Sequence, residues 1–241
     1  MTLRDAALDL LLGGGCVGCG RPGRSLCPPC RAGLPRTPRL LWPDPVPPGL
    51  APPWSAAAYD GVVRAALLAH KERHVTGLAH PLAGLLARAV VAASDGPVLL
   101  VPVPGRPGVA RARGHEPLLT VCRRAVRLVP GATLAPVLRS RGGVVDQAGL
   151  SAAERAANLA GSMWCPSAAV RRVAGRPARA VVCDDVLTTG ATVREAQRAL
   201  AAAGVDVVAA ATVAATVRRR PPGRVHSELS GARLSPGARV D

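Results

Sequence analysis

Four cysteines near the N-terminus have the spacing of a metal site. They form two Cys-x-x-Cys pairs, Cys16 with Cys19 and Cys27 with Cys30, separated by seven residues. Each pair can aim two thiolates at one point, and four thiolates complete the tetrahedral shell of a structural Zn²⁺. A redox dithiol is the competing interpretation, whereas four unrelated buried cysteines do not account for two such motifs within fifteen residues. We expect a zinc module with no open coordination position for catalysis.

A second group of residues, 181–192 (VVCDDVLTTGAT), has the chemistry of a sugar-phosphate site. Its adjacent carboxylates, Asp184 and Asp185, can accept hydrogen bonds from ribose hydroxyls and help to hold Mg²⁺ on a pyrophosphate. The residues that follow offer backbone N–H groups and hydroxyls at the start of a helix, where a phosphate is favoured. These residues are Val186, Leu187, Thr188, Thr189, Gly190, Ala191 and Thr192. An ordinary strand–turn–helix fits the paired carboxylates poorly, because like charges repel without a ligand or metal.

Hydrophobic periodicity predicts the elements that must position these residues. Apolar runs predict strands at 97–103, 135–139, 178–183 and 205–216. Helical spacing predicts helices at 3–12, 61–73, 78–93, 116–128, 151–159 and 192–203. Strands that alternate with helices predict a parallel sheet flanked by helices in an α/β domain.

Composition divides the chain into four parts. A helix and the four-cysteine module occupy 1–34, and a proline-rich extended linker packed on a surface is expected at 35–54. The α/β domain spans 55–217 and contains a basic, glycine-rich stretch at 104–114 that predicts a mobile loop. The aperiodic basic residues 218–241 predict a disordered tail.

The charge of the chain favours polyanionic partners. Thirty-one basic residues against 15 acidic ones give a formal net charge of +16, although arginines spread over a solvated surface are the alternative interpretation. The cysteine pattern indicates reduced thiols in the cytoplasm, and Asp5 and Asp9 argue against a signal peptide. No uncharged apolar stretch reaches the roughly 18 residues that a transmembrane helix needs. We therefore expect a cytoplasmic protein without membrane insertion.

Residues 181–192 closely resemble the 5-phosphoribosyl-1-pyrophosphate (PRPP) signature of type I phosphoribosyltransferases. The surrounding motifs narrow the resemblance to the ComF-like proteins of bacterial competence. Those motifs are Tyr59-Asp60-Gly61 with His70-Lys71, the VPVP run at 101–104, Arg113-Gly114, and Gln147, Leu150, Glu154, Arg155, Asn158 and Gly161. The single lysine, asparagine and tyrosine of this arginine-rich chain all fall on these positions.

The resemblance implies a type I phosphoribosyltransferase-like fold with an N-terminal zinc module and a site for PRPP and Mg²⁺. It implies catalytic roles for Asp184 and Asp185, and PRPP contacts from the loop at 186–192. Further contacts are implied for Pro104, Gly105, Arg113 and Lys71. The segment His115-Glu116-Pro117 departs from the family pattern after Arg113-Gly114, where the lid over pyrophosphate is expected. An accessory role in DNA uptake and natural transformation implies single-stranded DNA and a competence helicase or recombination proteins as partners.

Three functions stay open at this point: handling of single-stranded DNA with bound PRPP, phosphoribosyl transfer to a small acceptor, and PRPP sensing by a scaffold without turnover. Binders of single strands stack bases on aromatic residues, and this chain offers only Trp42, Trp54, Trp164 and Tyr59. For Lys71, a solvated charge at a helix C-terminus is the alternative to a phosphate contact.

Overall fold

The computed structural model of the protein describes residues 14–105, 116–141, 159–171, 173 and 179–216. Several predictions lie outside these residues: the helix at 3–12, nearly all of the helix at 151–159, most of the loop at 104–114 with Arg113, and the tail at 218–241.

The described residues form short helices and strands that alternate along the chain. The helices are α1 (Pro28–Ala32), α2 (Gly61–Glu72), α3 (Ala79–Ala93), α4 (Pro117–Ala125), α5 (Ser167–Arg171) and α6 (Ala191–Ala201), with 3₁₀ turns at Thr76–Leu78 and Val126–Leu128. The strands are β1 (Arg39–Leu40), β2 (Pro53–Ser55), β3 (Leu99–Pro102), β4 (Thr133–Leu134), β5 (Arg139–Ser140), β6 (Met163–Trp164), β7 (Arg179–Leu187) and β8 (Asp206–Ala215).

Six strands form one sheet in the order β1-β2-β8-β7-β3-β4. The outer strand β1 is antiparallel to β2, and every other neighbouring pair is parallel. The remaining two strands, β5 and β6, form a separate antiparallel pair. A mostly parallel sheet flanked by helices, with a cysteine cluster near the N-terminus, confirms the predicted α/β class.

The core has one apolar layer on each face of the sheet. Successive side chains of a strand point to opposite faces, so Val181 and Cys183 of β7 pack in the layer that contains α2, α3 and α4. Ala180 and Val182 pack in the layer that contains α6. Because helices cover both faces, residues 180–183 of β7 and 207–215 of β8 are small and almost all apolar.

The structure differs from the predicted strands in three places. The strand predicted at 135–139 is wrong: β4 ends before it and β5 begins at its last residue, because Pro136 between them has no N–H for a ladder. The strand β7 runs four residues beyond the predicted end at 183. The segment 35–54 is not only a surface linker, because it supplies β1 and the start of β2, and β2 lies next to β8 in the sheet.

Among the described residues, one helical stretch, Thr76–Ala93, is long and apolar enough to cross a membrane by length and composition alone, with a mean hydropathy of 1.3. Half of this stretch is buried inside the protein. Its inward face includes Leu82, Leu85 and Leu86, which pack in the core. The core helices of soluble proteins can have the same length and apolar composition, so this stretch is weak evidence for a membrane span.

Candidate functional site

The strands β3 and β7 are parallel neighbours whose onward connections run in opposite directions. From β3 the chain passes through α4 to β4 at the edge of the sheet, whereas from β7 it passes through α6 to β8 on the other side. The helices α4 and α6 pack on opposite faces. In open α/β sheets this reversal leaves a crevice at the carboxyl ends of the two strands, where ligands bind. We therefore place the candidate site, called the crevice below, after Pro102 and after Leu187.

The acidic pair lies on a part of β7 that projects beyond β3. The last register pair of β3 joins Pro102 to Cys183, and the Val103 N–H then donates to the Cys183 carbonyl at 3.0 Å. Among the described residues, β7 continues from Asp184 with β8 as its only sheet neighbour. Within the described ranges, one edge of β7 thus has no sheet neighbour beside either carboxylate. The residues that follow Val103, Pro104 and Gly105, begin the loop on the β3 side of the crevice.

Asp184 is a buried carboxyl group, only 8% exposed. Its Oδ1 atom accepts a hydrogen bond from the Asp185 N–H at 2.8 Å. Burial raises the pKa of Asp184 well above its ordinary value, and the nearby charge of Asp185 raises it further. A buried carboxylate is stabilised by a cation or by hydrogen-bond donors. Asp184 is therefore suited to a ligand that brings hydroxyl groups or a metal ion.

Asp185 faces the opposite side of the sheet and forms an ion pair with Lys71. The Lys71 Nζ atom lies 2.6 Å from Asp185 Oδ2, and the Val186 N–H donates to Asp185 Oδ1 at 2.8 Å. Lys71 is the penultimate residue of α2, so this helix delivers a cation to the crevice. The sequence left open that Lys71 is only a solvated charge at the end of a helix. In the structure its charge is instead paired with Asp185 at the candidate site.

The loop between β7 and α6 offers donors for an anion. Gly190, the residue directly before the helix, is in the left-handed conformation with a φ of 75° and has no side chain that could cap the helix. The Ala191 N–H reaches only the hydroxyl of Thr189, at 3.4 Å. Thr188 is exposed, while Thr189 and Thr192 are half-buried. Free N–H groups at the start of an 11-residue helix favour a phosphate.

The proline-rich segment packs directly on this loop. A Cβ atom on Gly190 would lie 3.1 Å from Leu50 Cδ2, 3.2 Å from Pro43 Cγ and 3.3 Å from Pro47 Cγ. Glycine is therefore needed here both for its left-handed backbone and for the close approach of the segment. The sequence predicts an extended backbone for the proline-rich segment. The spacing of its prolines does not indicate which helix the segment packs against.

We expect Gly190→Ala to lower the free energy of unfolding by about 1–3 kcal/mol, because the left-handed backbone is strained for alanine and its Cβ meets three side chains. Urea titration of both variants and the wild type measures the effect. The matched control is Gly84→Ala, since Gly84 lies within α3 with open space around a Cβ. That substitution is expected to be neutral or to stabilise by up to about 1 kcal/mol. Equal effects of the two substitutions would contradict this packing.

Side chains of α6 fix the same segment from the other side. The Arg194 Nε–H donates to the Pro48 carbonyl at 2.8 Å, and the Ala51 N–H donates to Gln197 Oε1 at 3.0 Å. These bonds hold the segment along the first half of α6. The start of the helix, and with it the loop at 188–190, is thereby enclosed on one side.

The four predicted cysteine ligands come together as expected. Their sulfur atoms all lie within 4.8 Å of one another, and those of Cys19 and Cys27 are 3.6 Å apart. Zinc–sulfur bonds of about 2.3 Å place tetrahedral sulfurs about 3.8 Å apart, so the donor set fits a structural Zn²⁺. The cluster is confirmed as a group of thiols that can hold this metal.

The backbone around the cluster prepares one of its thiols for a metal. Burial alone would raise the pKa of Cys16, but N–H groups of Cys27, Cys19 and Gly18 lower it to about 6. The Cys27 N–H lies 3.3 Å from Cys16 Sγ. The pKa of Cys30 is raised to about 12, mainly by its hydrogen bond with the Cys27 thiol. A thiolate at neutral pH is the form that binds zinc.

The cluster is attached to the domain through α2 and the core. A Cβ on Gly18 would lie 2.9 Å from Cys30 Sγ and 3.0 Å from Cγ2 of Val62, which lies in the first turn of α2. Val17 and Leu26 pack against the core layer that contains α2 and α3. The metal site is therefore joined to the helix that also carries the Lys71 side chain.

The structure thus places Asp184, Asp185 and Lys71 together, directly before the loop at 186–192. Pro104 and Gly105 follow Val103, whose N–H is bonded to β7 at Cys183, and Arg113 lies outside the described residues. Sequence reasoning missed the ion pair and the proline-rich contact, both of which join distant parts of the chain. No protein-family model matches the chain, and no curated protein matches it either. The candidate site therefore rests on the topology of the sheet and on the residues at its carboxyl edge.

Proposed function

We propose that the crevice binds PRPP together with Mg²⁺, in a type I phosphoribosyltransferase-like domain of the ComF-like kind. The observation that carries this proposal is the position of Asp184 and Asp185. They lie on the open edge of β7, at the point where the sheet topology reverses and directly before the donor-rich start of α6. Ribose hydroxyls and a phosphate are the groups that match these two neighbouring sets of acceptors and donors.

Each part of the crevice has a role in this proposal. Asp184 and Asp185 accept hydrogen bonds from the ribose hydroxyls, and the N–H groups and hydroxyls at 188–192 bind the 5-phosphate. Pro104 and Gly105 line the pyrophosphate side, where Lys71 also reaches, and the family resemblance implies a further contact from Arg113. Mg²⁺, when bound, neutralises charge on the pyrophosphate. Together these residues would hold the ribose so that an acceptor can approach C1, the carbon that is bonded to pyrophosphate.

If an acceptor is present, the C1–O bond to pyrophosphate breaks and the acceptor donates the electron pair for the new bond to C1. The basic residues of the loop stabilise the departing pyrophosphate. Without an acceptor the same site serves a sensor or scaffold. The net charge of +16 and the family resemblance support a cytoplasmic protein that also handles single-stranded DNA, as an accessory to DNA uptake alongside a competence helicase or recombination protein.

Calorimetric titration of the zinc-replete protein with PRPP and Mg²⁺ tests the proposal. We expect the wild type to bind and the Asp184→Asn, Asp185→Asn double variant to lose binding. Removal of two negative charges would strengthen a purely electrostatic attraction for an anion, so a loss identifies specific contacts of these carboxylates with ribose hydroxyls or with Mg²⁺. Asp206→Asn is the matched control, because Asp206 is exposed at the opposite, amino end of β8.

Binding of PRPP by the Asp206→Asn control and not by the double variant supports the crevice as the PRPP site. A wild type that fails to bind PRPP, or a double variant that binds it as well as the control does, contradicts the proposal. Assay of pyrophosphate in the same mixtures, with a panel of nucleobases and amines added, separates the functions. Release that depends on one acceptor identifies a transferase, whereas binding without release identifies a sensor or an accessory protein.

A further inference from the structure

A second groove lies against the C-terminal half of α6, away from the crevice. It is a cavity of about 490 Å³ between β6, α5 and the last turns of α6. The helix is 11 residues long, or about 16 Å, and the crevice lies at its other end. The volume is within the range of ligand sites, and none of the residues proposed for PRPP lines it.

One wall of the groove is the indole of Trp164, which is 43% exposed. The strand that carries it is held firmly on α6. Glu195 Oε1 accepts the Met163 N–H at 2.9 Å, and the Arg198 guanidinium donates to the Met163 carbonyl at 2.8 Å. Glu195 and Arg198 also pair with each other at 2.8 Å. The indole is thus an aromatic surface on a fixed strand, open to solvent.

The rim of the groove is positively charged. Arg141 and Arg171 are both exposed, and neither forms an ion pair within the ranges that the structure describes. Arg198, the third arginine of the lining, is already neutralised by Glu195. The described lining residues include no acidic side chain. The groove therefore combines two available cations with one flat aromatic surface.

We propose that this groove binds an unpaired stretch of nucleic acid, with one base stacked on Trp164 and its flanking phosphates on Arg141 and Arg171. An exposed indole beside cations is the arrangement with which proteins bind single strands, because every base has a flat face and every linkage has a charge. A duplex keeps its base faces covered and leaves only phosphates for the arginines. The choice of single-stranded DNA as the strand rests on the proposed function.

Fluorescence anisotropy of a labelled 15-nucleotide thymidine strand, with the full-length zinc-replete protein, tests the inference. We expect Trp164→Ala to weaken binding roughly 5- to 150-fold, the usual effect of removing a stacking residue. Trp164→Phe should retain most of the affinity. The matched control is Trp42→Ala: Trp42 is 46% exposed and does not line the groove, so its removal should leave the affinity unchanged.

Salt titration and competition test the ionic part. Arg141→Ala and Arg171→Ala should each reduce the slope of log affinity against log salt by about 0.7, the contribution of one phosphate of a single strand. An unlabelled single strand should compete far better than a duplex of the same sequence or thymidine monophosphate. Equal affinity of the Trp164→Ala and Trp42→Ala variants, equal loss in Trp164→Phe, or equal competition by the duplex overturns the inference.

The same variants separate this inference from the proposal for the crevice. Trp164→Ala should bind PRPP and Mg²⁺ as the wild type does, and the Asp184, Asp185 double variant should bind the labelled strand as the wild type does. A protein that binds the strand through Trp164 but not PRPP would refute the crevice alone. A protein that binds PRPP but not the strand would refute the groove alone.

Discussion

Removal of zinc from the four-cysteine cluster is expected to unfold the module around it and to destabilise the domain behind it. The module has few other interactions to keep it folded, and structural zinc contributes about 10–16 kcal/mol in isolated zinc-finger peptides. Val17 and Leu26 would leave the core layer that they cover. Burial of an apolar side chain contributes up to about 1.5–3 kcal/mol, and both are partly buried, so we expect the domain to lose roughly 2–4 kcal/mol.

Metal analysis and thermal unfolding with and without a chelator measure this effect. One zinc per chain is expected, and its removal should lower the Tm by about 2–4 °C for each kcal/mol lost. The Cys16→Ser, Cys19→Ser double variant should reproduce the chelator effect. The control is Cys165→Ser, a half-buried cysteine outside the cluster that should keep the metal. Purified wild type without zinc, or a Tm that the chelator leaves unchanged, would refute the metal site.

The second large effect is expected at Asp184, where loss of ligand binding should come with a gain in stability. Burial, with the charge of Asp185, raises the folded-state pKa of Asp184 above its unfolded value. The folded state therefore holds this proton more tightly than the unfolded chain does. The stability that comes from this protonated carboxyl is fully present below the unfolded pKa and is lost as the pH rises through the folded pKa. At neutral pH the folded protein bears the penalty of a buried acid.

Asp184→Asn is expected to remove that penalty. Asparagine keeps an oxygen for the Asp185 N–H and carries no charge, so the variant should be more stable than the wild type at pH 7 by on the order of 1–3 kcal/mol. Near pH 4, close to the unfolded pKa of about 3.9, the gain should nearly vanish. Urea titrations at the two pH values measure it.

The control for this prediction is Asp185→Asn. Asp185 is paired with Lys71, so its replacement removes a favourable interaction and should not stabilise the protein at pH 7. A less stable Asp184→Asn variant at pH 7, or a gain of the same size at pH 4, would show that the buried carboxyl is not a source of instability. A stability gain paired with a binding loss is what a residue kept for a ligand produces.

Local sequence patterns were sufficient to predict the cysteine cluster and the central strands of the sheet. Cys16 to Cys30 carry their geometry in two short turns, and the sulfurs meet as the spacing predicts. The run at 97–103 is apolar throughout and the run at 178–183 is apolar except for Arg179, because helices cover both faces of β3 and β7. The helix α6 starts at Ala191, one residue before the predicted position and directly after Gly190.

Non-local contacts account for what the sequence does not reveal. The charges of Asp184 and Asp185 indicate the end of a buried strand, yet β7 continues because Asp184 pairs in register with Thr212 of β8. The ion pair from Lys71 to Asp185 spans 114 positions of the chain. The strand β2 has only three residues, two of them in a proline-rich stretch, and its partner is likewise distant.

The placement of β8 has a consequence for the order in which the domain is built during synthesis. It lies between β2 and β7, and the hydroxyls of Ser55 and Thr212, 2.6 Å apart, join residues separated by 157 positions. A growing chain therefore displays β2 with the short strand β1 as its sheet neighbour and with its other edge unpaired, until nearly all of the described domain has left the ribosome. Such distant pairing is slow, because a long loop must close before the contact forms. Of the strands in the described part of the chain, the last to be made is the one that joins the two halves of the sheet.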